Sequence, residues 1–268
     1  MNIIDRNFYR LLRIGAFGTT ETLEPLSVWK WNRLYQLSEM HDVAPIVYRG
    51  IEQSQNQFFV QMPEELLEKW RKATYHDEDN DNDMLIADHL TNPVLNHYLQ
   101  NILDSEESGI ETRTVLLQLL GIARFILNAG IPVKRLVELG ITLRQSGKRI
   151  DYTMLKKWIG TLKMNEMVQF SSIMLVKLLH FTPEELPFMN PTDEGVMEKY
   201  IREMFKQKNS HAEEWYFSQG KNIFVHTSNS SAMLWHVRRS VKFLKYYPAE
   251  TTTNFFTSFA HSLSHIEE

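Results

Sequence analysis

Residues 111–181 read ETRTVLLQLLGIARFILNAGIPVKRLVELGITLRQSGKRIDYTMLKKWIGTLKMNEMVQFSSIMLVKLLHF, and the spacing of their apolar side chains decides the fold. The apolar residues recur every three to four positions, the period of an amphipathic helix, and not every second position as in a half-buried strand. Punctuation divides the run. Gly130 is placed as the residue that closes the first helix, and Gly147 stops the second, because glycine adopts the left-handed conformation that ends a helix. Asp151 is the expected cap of YTMLKKWIGTLKM and Asn165 that of EMVQFSSIMLVKLLHF.

The same period extends outward in both directions. Phe8, Leu11, Leu12 and Ile14 form a stripe after an expected cap at Asp5. Ser27 precedes a helix in which Val28, Trp31, Leu34, Tyr35 and Leu37, with Ser38, share a face. VAPIVYRGI reads as a short third helix, and Pro63, followed by Glu64 and Glu65, opens a long fourth one. On the carboxy-terminal side, TPEELP is a helix-opening turn stopped at Pro187, and Thr192 and Asp193 start EGVMEKYIREMFKQ. The pattern lapses between Lys206 and Ser231, which reads as a long surface loop with a short strand at NIFVH. SAMLWHVRRSVKFLKYY then forms a helix ending before Pro248. The expected class is all-α, a multi-helix bundle of roughly ten to twelve helices with little or no sheet. Residues 1–110 form its amino-terminal helical region and 111–268 its carboxy-terminal one, packed as one compact unit.

Composition bounds the function. A chain of 268 residues buries roughly 70–75% of its unfolded surface and needs no covalent staples. The formal charge of −4 argues against general nucleic-acid binding, which requires a basic surface to displace counterions. With no cysteine, thiolate catalysis, disulfides and cysteine-type zinc sites are excluded, and a reducing compartment is expected. Asp5, Arg6, Arg10 and Arg13 interrupt what would be the apolar core of a leader peptide. No window offers a long uncharged apolar run, so a soluble cytoplasmic protein without a membrane partner is expected.

The stretch HDEDNDND, His76 to Asp83, carries the densest charge. Read as a loop it imitates a calcium-binding hand, with Asp77, Asp79, Asp81 and Asp83 at the alternating ligand positions and Asp88 at the closing one. Asn82 then stands where glycine is wanted, and Asp88 is a shorter ligand than the usual glutamate. Read as helix, residues two apart point about 200° apart, so the aspartates splay and face water. The solvated reading is preferred, because charge runs are usually water-facing; calcium binding is the alternative.

Three further constellations stand out. Arg238, Arg239, Lys242 and Lys245, with Tyr246 and Tyr247 nearby, form a candidate surface for an anion or an acidic partner. The buried stripe of that helix is expected to be Leu234, Val237, Val241 and Leu244. Trp215, Tyr216 and Phe217 are consecutive aromatics that cannot all face one core, and they make a candidate contact surface. His261 and His265 have the i, i+4 spacing of paired metal ligands, but no third ligand stands beside them. The tryptophans, Trp29, Trp31, Trp70, Trp158 and Trp235 among them, are expected to anchor the core. There is no Walker loop, dinucleotide glycine fingerprint or nucleophile elbow.

The stretch GIPVKRLVELGITLRQSGKRIDYTMLKKWIGTLKMNEMVQFSSIMLVKLLHFTPEELPF, Gly130 to Phe188, resembles the helical carboxy-terminal portion of an uncharacterised bacterial nucleotidyltransferase family. Its Phe181-Thr182-Pro183-Glu184-Glu185-Leu186-Pro187 is similar to that family's closing L-x-x-P-x-E-x-x-P. LLRIGAFG…W…LYQLSEMHDVAPIVYRGI is similar to the family's opening, and VRRSVKFLKYYP to its basic closing helix. The resemblance implies a catalytic core between these flanks: a glycine turn for the triphosphate and a D-x-D or D-x-E pair on a strand to hold magnesium. The sequence departs from that pattern. No glycine lies between Gly50 and Gly109, and the interval is too short for a mixed sheet domain. The resemblance with this departure implies a relative that has lost its catalytic core: no catalytic residue, no cofactor, no nucleotide, and a binding or scaffolding role toward a protein partner. The alternative is a helical substrate-binding subunit whose catalytic chain is separate.

Overall fold

A computed structural model of the chain describes residues 1–56, 62–76, 88–105, 109–128, 133–191, 195, 244–254 and 256. The regular structure of these residues is all helical, with no strand among them. In order they form α1 (Ile3–Phe17), α2 (Val28–Met40), α3 (Ala44–Gln53), α4 (Glu64–His76), α5 (Pro93–Asp104), α6 (Ile110–Asn128), α7 (Val133–Ser146), α8 (Tyr152–Thr161) and α9 (Asn165–Leu179). Single 3-10 turns cover Gly147–Arg149 and Pro183–Glu185, and residues 248–254 are again helical. No helix among the described residues is long and apolar enough to cross a membrane. The all-α class read from the periodicity is thus the observed one.

The chain divides into two units. The first comprises Met1–Leu85, Pro132–Gln145 and Leu178–His180; the second comprises Ile86–Ile131, Ser146–Lys177 and Phe181–Glu268.

The first unit is organised by α1. Its cap is Asn2, not Asp5: the Asn2 carboxamide oxygen accepts from the Asp5 N–H at 2.9 Å. Asp5 sits one turn in, where its charge still complements the helix dipole. Gly18 closes α1 at φ +66°, and its N–H donates to the Ile14 carbonyl at 2.9 Å. The stripe of Phe8, Leu11, Leu12 and Ile14 is buried as its spacing predicts. Against it lies α3, and the two helices cross where Gly15 meets Gly50 with main chain against main chain. α2 buries Trp31, Leu34 and Ser38. Val28, expected on that stripe, is exposed at its first turn, and Trp29 is 68% exposed, so it anchors no core. α7 is tied in by Lys134 to Asp42 at 2.5 Å and by the Arg144 guanidinium, 4.4 Å above the Phe17 ring.

The connection from α1 to α2 runs without helix yet is firmly held. Arg6 donates to both Glu24 carboxylate oxygens at 2.7 Å, and Arg10 adds a third bond at 2.8 Å. Asn7 exchanges two bonds with the Glu24 main chain, at 2.7 and 3.0 Å. One turn further along, Arg13 grips Glu21 with two bonds of 2.6 Å and donates a third to the Leu178 carbonyl at the end of α9. Cations spaced 6, 10 and 13 share one helix face, and Glu21 and Glu24 meet them in register.

The second unit contains α5, a helix that the periodicity reading leaves out. Asn92 caps it, accepting from the Val94 and Leu95 N–H groups at 3.1 Å, and Pro93 occupies its first turn. α8 starts at the expected cap, with Asp151 accepting from Met154 N–H at 2.9 Å, and Thr112 of α6 accepts from the Asp151 N–H at 3.0 Å. α9 includes Asn165 as its first residue rather than its cap. Its buried Ser171 and Ser172 return their hydroxyls to the carbonyls four residues back, so neither hydroxyl is left unbonded. Thr182 and Glu185 form a reciprocal capping box around the 3-10 turn.

At the far end, Pro248 opens a helical stretch and does not follow one directly, since residues 244–246 are turn. Proline's fixed φ and missing N–H suit a first helical position. Glu250 is buried there, and its carboxylate accepts from the Thr91 N–H at 2.7 Å, the Thr91 hydroxyl at 2.9 Å and the Asn92 N–H at 3.0 Å.

Candidate functional site

An open hollow of about 340 Å³ lies on the first unit between α2 and α4, lined by Tyr35, Glu39, Lys69, Lys72 and Ala73. Helical spacing assembles it. Tyr35 and Glu39 are one turn apart on α2, while Lys69, Lys72 and Ala73 lie three and four apart on α4, so each helix presents one row. The rows are fixed by what lies beneath. Trp70 is fully buried from α4, and its ring meets Tyr35 edge-on, with centroids 5.0 Å apart and planes at 85°. This geometry puts the ring edge of one against the face of the other.

The electrostatics are specific. Burial, then the Glu39 charge and hydrogen bond, push the Tyr35 hydroxyl up to about 12. It is therefore a fixed donor near neutrality, and no proton shuttle. Lys69 and Lys72 are exposed, and neither joins an ion pair among the described residues. The neighbouring cation Arg71 is taken by Glu68 at 3.0 Å. Two ammonium groups thus face one carboxylate that already accepts a hydrogen bond, which leaves the described lining net positive. Such a set attracts an anionic group and packs it against an aromatic edge. Among the described lining residues there is no nucleophile with an adjacent base.

The residues singled out from sequence lie elsewhere. Asp77, Asp79, Asp81 and Asp83 are outside the described residues. So are Trp215, Tyr216, Phe217, Arg238, Arg239, Lys242, His261 and His265, as well as the expected helix end at Gly130. Asp88 is described and exposed, and its main-chain carbonyl accepts from the Gln100 carboxamide at 2.7 Å. No group of three histidine or carboxylate side chains able to hold a metal occurs among the described residues. Lys245 lies 4.5 Å from the centroid of the Tyr246 ring. Tyr246 and Tyr247 are buried, with Phe170 of α9 5.3 Å from Tyr246, so they belong to the core and not to an exposed anion surface. Leu244, expected to be buried, is 43% exposed, because the chain turns there and its helical face is lost.

The hollow escapes a sequence reading for a definite reason. The spacings 35/39 and 69/72 are visible in the sequence, but nothing there says that α4 lies beside α2. Protein-family models, curated proteins and solved structures give no match to this chain.

Proposed function

We propose that this chain is a non-catalytic helical protein related to nucleotidyltransferases, working as a binding or scaffolding module for a protein partner in the cytoplasm. The observation that carries the reading is what fills the interval between α3 and α6. The family that the flanks resemble needs a sheet there, bearing a phosphate turn and a magnesium-holding carboxylate pair. Here the described part of that interval is α4 and α5. A helix splays carboxylates two residues apart, whereas a strand points them to the same face, so the described part of this interval, α4 and α5, offers no strand for such a pair. The cationic hollow between α2 and α4 adds support, since its described lining, two lysines beside an aromatic ring, suits binding of an anionic group.

The test is a thermal-shift series on the purified chain with ATP, CTP, GTP and UTP, each with magnesium, and calcium alone as a separate arm. A ligand present at about 100 times its dissociation constant adds about 2.7 kcal/mol to stability. The module reading expects no shift in any arm. A nucleotide-dependent rise of several degrees overturns it, and a calcium-dependent rise returns the Asp77–Asp83 run to the metal reading.

A further inference from the structure

We infer that the hollow between α2 and α4 is the docking site for an acidic, extended peptide segment of a protein partner. The inference rests on the binding-module reading and names the chemistry of what is bound.

Shape is the first argument. Small molecules are held in clefts that bury most of their surface. The described lining of this hollow is five residues from two helices, and the hollow is open to solvent, so it leaves much of a ligand in water. A chain lying across α2 and α4 fits that limit, and a freely diffusing small molecule is poorly held by it.

Charge is the second. Lys69 and Lys72 stand three apart on α4, which separates their Cβ atoms by about 5–6 Å. Alternate side chains of an extended peptide lie about 6.8 Å apart on one face. Flexible lysine stems bridge that difference easily, so each ammonium can meet its own carboxylate. A single inorganic phosphate offers one centre of charge and leaves the second lysine to bend toward it. Lysine also acts as a point charge without the planar fork of arginine, which suits an acidic run more than one rigidly oriented anion.

The aromatic wall is the third. Tyr35 is held by Trp70 on one side and by its bond to Glu39 on the other. The half-buried Tyr35 ring lines the hollow and offers the methylene stems of a glutamate an apolar surface, while Glu39 turns away a ligand whose negative charge sits on the α2 side. The acidic chain is thereby biased to the α4 side of the hollow.

The experiment titrates fluorescently labelled hexaglutamate with the full chain and follows anisotropy at low ionic strength. Binding is expected to weaken as salt rises, because exposed charges are screened. The double reversal Lys69→Glu with Lys72→Glu is expected to weaken binding by about tenfold or more. A matched reversal on α8, Lys156→Glu with Lys157→Glu, is expected to leave it unchanged. Circular dichroism melts of both variants confirm that each is folded, since all four lysines are exposed. The inference is overturned if hexaglutamate does not bind, or if the α8 reversal weakens binding equally. It is also overturned if millimolar inorganic phosphate displaces the peptide completely, which would make the hollow a plain anion site. A nucleotide-dependent thermal shift sinks the underlying module reading, so the two failures are told apart.

Discussion

Gly15 of α1 and Gly50 of α3 lie opposite one another, and each leaves room for the other helix's main chain. A Cβ on Gly15 would overlap the Ile46 carbonyl oxygen, and one on Gly50 would overlap the Leu11 carbonyl oxygen. Backbone atoms cannot move aside as a flexible side chain does, so the helices would have to separate. Either Gly15→Ala or Gly50→Ala is expected to destabilise the fold by about 1–3 kcal/mol, despite alanine's better helix propensity. Urea denaturation measures this directly. An unchanged midpoint would show that the crossing yields easily.

Arg13 links three stretches of the first unit: its own helix, Glu21, and the Leu178 carbonyl. Its side chain is 6% exposed and that of Glu21 is 19% exposed, so solvent screens this pair little. Replacing Arg13 with methionine leaves a partly buried carboxylate without its cation, and a loss of roughly 3 kcal/mol or more is expected. Arg13→Lys should recover only part of it, because an ammonium cannot reproduce the two-bond fork while also reaching Leu178. Full recovery by lysine would mean that charge alone matters at this position.

Acid should unfold the first unit in two steps of different origin. Burial, then the nearby Arg13 cation, depress the His180 imidazole below 6.5, against a smaller opposing pull from Glu21. The folded state therefore binds fewer protons there than the unfolded chain, so stability falls as pH drops below about 6.5. The Arg6 hydrogen bond, together with the charges of Arg6 and Arg10, holds Glu24 down at about 2. Its contribution is fully present above the ordinary value of 4.5 and is lost as pH falls from there toward 2. His180→Asn, which tolerates the left-handed backbone at φ +56°, should flatten the first step, and Glu24→Gln the second. Melting temperatures measured from pH 8 to pH 3 separate the two. The Glu24 pair is partly exposed, so 1 M salt should shrink the second step.

Glu250 stands in for a cap at α5, taking two main-chain N–H groups and the Thr91 hydroxyl. Glu250→Ala leaves those part-buried donors without their acceptor, and a cost of about 1–3 kcal/mol is expected. Glu250→Gln keeps one carbonyl acceptor and should lie between the two. Chemical denaturation of the three proteins orders them, and an alanine variant as stable as the parent would deny the cap its role.

Much of the helical architecture was legible because it rests on local chemistry. The 3.6-residue stripe of α1 and the Asp151 cap are both properties of short windows. α5 is also written locally: Asn92-Pro93 is a cap followed by a first-turn proline, the signature that opens a helix. Pro248 misled for the complementary reason, since proline marks both the end of one helix and the start of another. Val28 and Trp29 could not be placed from periodicity, because hydrophobicity at a first turn says nothing about which neighbour covers it. The ion pairs of Arg6, Arg10 and Arg13 with Glu21 and Glu24, and the hollow of Tyr35 with Lys69 and Lys72, depend on which segments meet. Residue spacing gives faces; only the fold gives partners.

The proposed function has the helical flanks persist without nucleotidyl transfer. It is tested most directly by incubating the pure chain with magnesium and each radiolabelled nucleoside triphosphate in turn, with a mixed pool of protein and small-molecule acceptors. The account predicts no label transferred above the protein-free control with any of the four. Transfer that scales with protein concentration would contradict the proposed function.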